Sequence, residues 1–173
     1  MRTRIIVAAS GAALLALGVL VSYAASQPPE SLRPTIAARY PDIRWVRTTT
    51  LARWLADDDE RVILLDTRAR GEFRVSHLRG ARLVDPDLTD IANLGLPSDA
   101  KIVIYCSVGW RSGIMADRFR RAGFRDVYNL EGGIFAWANA GRAVYRGSQR
   151  AETVHPYDDV WGRMLNSRYH PED

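Results

Sequence analysis

The chain has 173 residues, 47% of them hydrophobic and 25% charged, and a formal net charge of +4. That length suits one domain with appendages, and the mixture excludes a mainly disordered chain, a collagen-like repeat and a multi-pass membrane protein. Its single cysteine excludes an intrachain disulfide and a metal site of clustered cysteines.

Arg2 and Arg4 precede an apolar run from Ile5 to about Ala25. This is the charged and hydrophobic layout of an export signal, although the run exceeds the roughly 7–15 residues usual there and approaches the ~20 that cross a bilayer. Residues 1–26 therefore read as a signal peptide or as a membrane anchor that tethers the chain through residues 5–25. Either way the remainder is expected outside the cytoplasmic membrane, in the periplasm or beyond. The basic residues there, nearly all Arg, are dispersed among Asp and Glu. A nucleic-acid groove would need them clustered with aromatics, so no nucleic-acid partner is expected. Pro28, Pro29 and Pro34 then suggest an extended linker from Gln27 to Arg39. Ile43–Val46 reads as a short strand, so residues 27–47 are taken as linker and first strand.

The spacing of Leu51, Trp54 and Leu55 predicts a helix over 50–56. Val62–Leu65 is a continuous apolar run ending at Asp66, as in a strand buried on both faces. A short helix is expected over 70–76, a strand over 81–84 and a helix over 88–94. Lys101–Tyr105 is a second strongly buried strand. An amphipathic helix follows over 112–122, then a strand over 127–130 and a helix over 134–140. Strands alternating with helices argue for an α/β fold, a parallel sheet covered on both faces. Ligands of such sheets bind beyond the carboxyl ends of the strands. The tail from Gly147 is polar but carries Tyr157, Trp161, Met164 and Leu165, and is expected to pack back on the domain.

Cys106 sits where this pattern places function, directly after the strand 101–105 and before a helix. Backbone N–H groups of the loop and of the helix start can converge there as an anion nest. A thiol at such a place is expected to ionise more readily than a free one, at about 8.5. Gly109 permits a positive φ, Arg111 adds a fixed charge, and Ser112 would cap the helix or donate to the sulfur. The ordinary alternative for a lone cysteine is an inert, buried small hydrophobe. The count from Cys106 to Arg111 is C-x4-R, one residue shorter than the loop of cysteine phosphatases, and suits a persulfide better than a tetrahedral phosphate.

The loop Cys106-Ser107-Val108-Gly109-Trp110-Arg111-Ser112 resembles that of a single-domain rhodanese. Two further motifs carry the resemblance: Asp66-Thr67-Arg68 with Glu72-Phe73 and His77-Leu78-Arg79-Gly80-Ala81, and Leu130-Glu131-Gly132-Gly133 with Trp137 and Gly141. It covers residues 48–146 and leaves 147–173 as a C-terminal tail. It implies a five-stranded parallel sheet with flanking helices. It also implies a thiosulfate:cyanide-type sulfurtransferase that moves a sulfane sulfur through a Cys106 persulfide, with no metal or organic cofactor. The expected partners are a small sulfur donor and an acceptor that is cyanide, a thiol or a protein thiol.

Cys106 and Arg111 are the expected catalytic residues, and Ser107, Val108, Gly109, Trp110, Ser112 and Arg68 the substrate-binding ones. Arg68 is expected either to pair with Glu72, four residues on, or to face the substrate. Asp66 and His77 are expected in structural hydrogen bonds, and Trp110 as a hydrophobic lip beside the sulfur. The loop middle lacks the extra basic or polar residues common in rhodaneses that favour thiosulfate. The competing reading is a non-catalytic rhodanese-like module that docks a partner in the cell envelope through Trp110 and the tail.

Overall fold

The computed structural model describes residues 27–57 and 62–172; the expected leader, residues 1–26, lies outside the described residues. No described helix is long and apolar enough to cross a membrane.

Five parallel strands form the sheet: β1 (Arg44–Val46), β2 (Val62–Asp66), β3 (Arg82–Leu83), β4 (Lys101–Tyr105) and β5 (Val127–Leu130). Their order is β1-β5-β4-β2-β3, so the strand that Cys106 follows lies at the centre. Period-two alternation sends its residues to two cores. Val103 and Tyr105 join Leu64, Leu130 and Phe135 on one face, while Ile102 and Ile104 join Leu65, Met115 and Phe119 on the other. All four residues from Ile102 to Tyr105 are 0% exposed, which is why this run reads as continuously apolar rather than alternating.

Helices cover both faces. α1 (Arg33–Arg39) and α4 (Trp110–Arg121) pack through Ile36, Met115 and Phe119 on one side. α2 (Thr48–Ala56) and α5 (Gly133–Asn139) pack through Leu51, Ile134 and Phe135 on the other. The short α3 (Arg70–Val75) follows β2.

Three expectations are corrected. The proline-rich stretch is helical rather than extended: Pro29 and Pro34 stand in the first turns of a 3-10 turn and of α1, where a missing N–H costs nothing. Ile36, fully buried, anchors it to the core. The helix expected over 88–94 shrinks to a 3-10 turn at Ala92–Leu94. There Asp side chains bond local groups, as Asp85 does with the Asp87 N–H, and compete with helix. The boundary at residue 146 cuts a hairpin that sequence periodicity missed, β6 (Val144–Arg146) with β7 (Gln149–Ala151).

The tail packs as expected. Val154, Met164 and Leu165 are buried in the core. Asn139 holds the tail from α5, donating to the Met164 carbonyl at 2.7 Å and accepting from the Asn166 N–H at 2.8 Å.

Candidate functional site

The loop after β4 is fastened from three directions. The start of α5 donates backbone N–H groups to it, Ile134 to the Cys106 carbonyl at 2.9 Å and Phe135 to the Ser107 carbonyl at 3.0 Å. The approach is so close that a side chain at Gly133, at φ +57°, would collide with both carbonyl oxygens. From β5, the buried Asn129 donates to the Gly109 carbonyl at 2.8 Å. From α3, Glu72 accepts the Ser107 hydroxyl at 3.1 Å. Gly109, at φ +104°, turns the chain into α4, which only glycine does without strain.

The sulfur of Cys106 accepts a hydrogen bond from the Gly109 N–H at 3.2 Å. The residue is 1% exposed, yet it lines a cavity of about 130 Å³ with Ser107, Val108, Trp110, Arg111, Tyr157 and Trp161. Trp110 is 42% exposed at its rim. Helix α4 begins at Trp110, two residues earlier than its apolar pattern suggests. Trp110 and Arg111 are therefore in its first turn rather than in the loop.

Arg111 makes two hydrogen bonds to Glu72, each of 2.8 Å, and a third to the Ser107 hydroxyl at 3.0 Å. Burial works against its charged form, but the Glu72 hydrogen bond and the charge of Cys106 outweigh burial and hold it above its ordinary range. Glu72 is shifted the other way. Burial opposes its charge, and the Arg111 hydrogen bond and charge prevail, so its carboxyl lies below its ordinary 4.5. Glu72 also accepts the Ala69 N–H at 2.9 Å.

Arg68 is elsewhere. It is 0% exposed, forms a bidentate pair with Asp66 and donates to the Ser76 carbonyl. It neither pairs with Glu72 nor lines the cavity. The Asp66 carboxylate also accepts the Arg68 N–H at 2.9 Å, the structural role expected of it. His77 has one as well: Nδ1 lies 3.0 Å from the Phe73 carbonyl and the ring stacks on Phe73. The Ser112 hydroxyl is buried and has no partner among the described residues, so it neither caps α4 nor bonds the sulfur.

Sequence reasoning missed Glu72 as the partner of Arg111, Asn129 as the anchor of the loop, and Tyr157 and Trp161 as cavity walls. The spacing of Arg68 and Glu72 offered a nearer but wrong pair. The two tail aromatics carried a signal for packing but none for where they would land.

The arrangement can hold a nucleophilic sulfur at a strand end, with a backbone donor beside it and a cavity above. Residues 48–140 match the family described as rhodanese-like domain. Over 90 residues the chain is 37% identical to the probable adenylyltransferase/sulfurtransferase MoeZ of Mycobacterium tuberculosis, covering 51% of this chain and 23% of that protein. It thus spans about a quarter of that relative's length. Over 99 residues it is 33% identical to a sulfurtransferase of Allochromatium vinosum, covering 57% of this chain and 92% of that one. The solved rhodanese-like domain of an Anabaena protein superposes with a TM-score of 0.54 at 26% identity, covering 58% of this chain and 77% of that one.

Proposed function

The chain belongs to the rhodanese-like domain family, and from that premise we propose that it is a sulfurtransferase working through a persulfide on Cys106. One observation carries the reading: the only cysteine of the chain directly follows the central strand, accepts the Gly109 N–H and lines a cavity. A buried cysteine kept only for packing has no need of an opening.

The cycle has two displacements. The Cys106 thiolate attacks the sulfane sulfur of a donor such as thiosulfate. A bond forms between the two sulfurs, the donor's S–S bond breaks, and sulfite leaves with the electron pair. The acceptor, which is cyanide, a small thiol or a protein thiol, then attacks the outer sulfur and restores the thiolate. Cys106 supplies covalent catalysis. The Gly109 N–H and Arg111 stabilise the anionic sulfur as preorganised groups, with Ser107, Val108 and Trp110 around the incoming donor. Because Glu72 already neutralises much of Arg111, its part is to orient the loop as much as to supply charge. The working unit follows an export signal or anchor at residues 1–26 and acts outside the cytoplasmic membrane; fractionation of cells expressing the full chain tests this.

The decisive experiment incubates the full chain with thiosulfate, weighs it, and then adds cyanide. The expected result is a gain of one sulfur atom, about 32 Da, on Cys106, removed by cyanide as thiocyanate. Cys106→Ser should show neither while unfolding at a similar temperature. Sulfur transfer by that variant would remove Cys106 from the chemistry, and no adduct in the parent chain would favour the partner-docking module.

A further inference from the structure

Two aromatic side chains from the tail stand at the cavity of Cys106, and both lie beyond the residues that match the family. Together with Val108 and Trp110 they make its walls largely apolar. Arg111 is the only charged residue in the lining. Its guanidinium is hydrogen-bonded to Glu72 and to the Ser107 hydroxyl and also interacts with Cys106, and its carbon lies 4.9 Å from the centre of the Tyr157 ring. A doubly charged donor entering here would lose hydration against a single cation whose charge Glu72 already balances in large part. A donor with an apolar body would instead bury that body against aromatic rings.

The placement of the two rings is built rather than incidental. Tyr157 holds φ +73°, the only non-glycine residue at positive φ among the described residues, and such a conformation persists only when its surroundings enforce it. The Tyr157 N–H donates to His155 Nδ1 at 3.0 Å. The Asp158 carboxylate accepts the N–H groups of Val160 and Trp161 at 2.9 and 2.8 Å, which orients the turn that carries Trp161. His170 Nε2 lies 3.1 and 3.2 Å from the Gly162 and Leu165 carbonyls and closes the other end of that turn.

We infer that Tyr157 and Trp161 are specificity-determining residues that select sulfane donors with an apolar or aromatic body, organic thiosulfonates being the test class, over thiosulfate. The inference rests on the persulfide reading above. The step is the same displacement: the Cys106 thiolate bonds to the outer sulfur of the thiosulfonate, the S–S bond to the sulfonyl group breaks, and a sulfinate leaves with the electron pair. No oxidant, reductant or further reactant is needed.

The test compares the full chain with Tyr157→Ala, Trp161→Ala and Tyr157→Phe on benzenethiosulfonate, methanethiosulfonate and thiosulfate, with cyanide as acceptor. Each alanine variant should lower the ratio of kcat/KM for benzenethiosulfonate over thiosulfate by about tenfold, chiefly through KM. The ratio of methanethiosulfonate over thiosulfate should move much less, and Tyr157→Phe should keep the parent ratios. Trp161 packs against the core, so the exposed Tyr157 makes the safer comparison. If the alanine variants slow all three donors alike, or none, the selectivity role falls while sulfur transfer stands. If the parent chain takes sulfur from no donor, the persulfide reading falls and the selectivity role with it.

Discussion

Glu72 grips Arg111 with both carboxylate oxygens, each hydrogen bond 2.8 Å long, and so ties the first turn of α4 to α3 across 39 positions of sequence. Glu72 is 4% exposed, while the Arg111 side chain keeps 26% of its surface. Glu72→Ala should therefore cost on the order of 2–3 kcal/mol, below the roughly 3–5 of a fully buried broken pair because solvent reaches the arginine. Urea unfolding measures the loss. Sulfur loading should fall as well, because the Ser107 hydroxyl loses the same acceptor.

The same pair sets a pH dependence. The carboxyl of Glu72 lies below its ordinary 4.5 in the folded chain, because Arg111 outweighs burial. A group shifted this way binds its proton more readily when unfolded. Its contribution is thus complete above about 4.5 and is lost as pH falls through the lower folded value. Between neutral pH and pH of about 3 the parent chain should lose more stability than Glu72→Gln, which has no such proton to take up. Parallel losses in the two proteins would place the acid sensitivity elsewhere.

Arg68 gives the opposite pattern. It and Asp66 are both 0% exposed, so Arg68→Met strands a buried carboxylate and should cost about 3–5 kcal/mol. In the fraction that remains folded, sulfur loading of Cys106 should match that of the parent chain. A specific rise in KM for the sulfur donor would return Arg68 to the substrate.

Gly133 and Gly141 separate strain from close approach. Both have positive φ, yet a Cβ at Gly141 meets nothing within 4 Å, whereas one at Gly133 strikes the carbonyl oxygens of Cys106 and Ser107. Gly141→Ala should cost about 1–2 kcal/mol from the left-handed backbone alone. Gly133→Ala should cost clearly more by thermal unfolding, and should depress sulfur loading beyond the loss of folded protein. Equal effects at the two sites would mean that the contact with the loop does not position the sulfur.

Asn139 is the clasp of the tail. Asn139→Ala leaves a partly buried carbonyl and an exposed N–H without their partner and should cost about 1 kcal/mol, because water can replace the partner at the exposed N–H. Limited proteolysis should then cut within residues 152–170 faster than in the parent chain. An unchanged cutting rate would show that the buried Val154, Met164 and Leu165 hold the tail without the clasp.

Much of the fold was legible because its signals are local. A strand such as Lys101–Tyr105 advertises double-sided burial by its composition, and α4 by its apolar spacing. The position of Cys106 after a buried parallel strand was legible for the same reason, as was the turn at Gly109. The helix at Arg33–Arg39 was misread because a proline's effect depends on its place within a helix, and that place is set by where Ile36 finds a core. The pairing of Glu72 was misread because helical spacing records neighbours along the chain, while the stronger pair closes across the sheet end.

From the chain alone, then, came the alternation of strand and helix, the strand that carries the cysteine and the count from Cys106 to Arg111, all consequences of order along one polymer. Only the folded structure decided that Arg68 turns to Asp66, that Glu72 spends its charge on Arg111, and that Tyr157 and Trp161 wall the cysteine's cavity. Glu72 with Arg111 and the tail aromatics with Cys106 are distant in sequence, Arg68 with Asp66 only two positions apart, and the energies of all three depend on desolvation and direction, which a linear pattern does not encode.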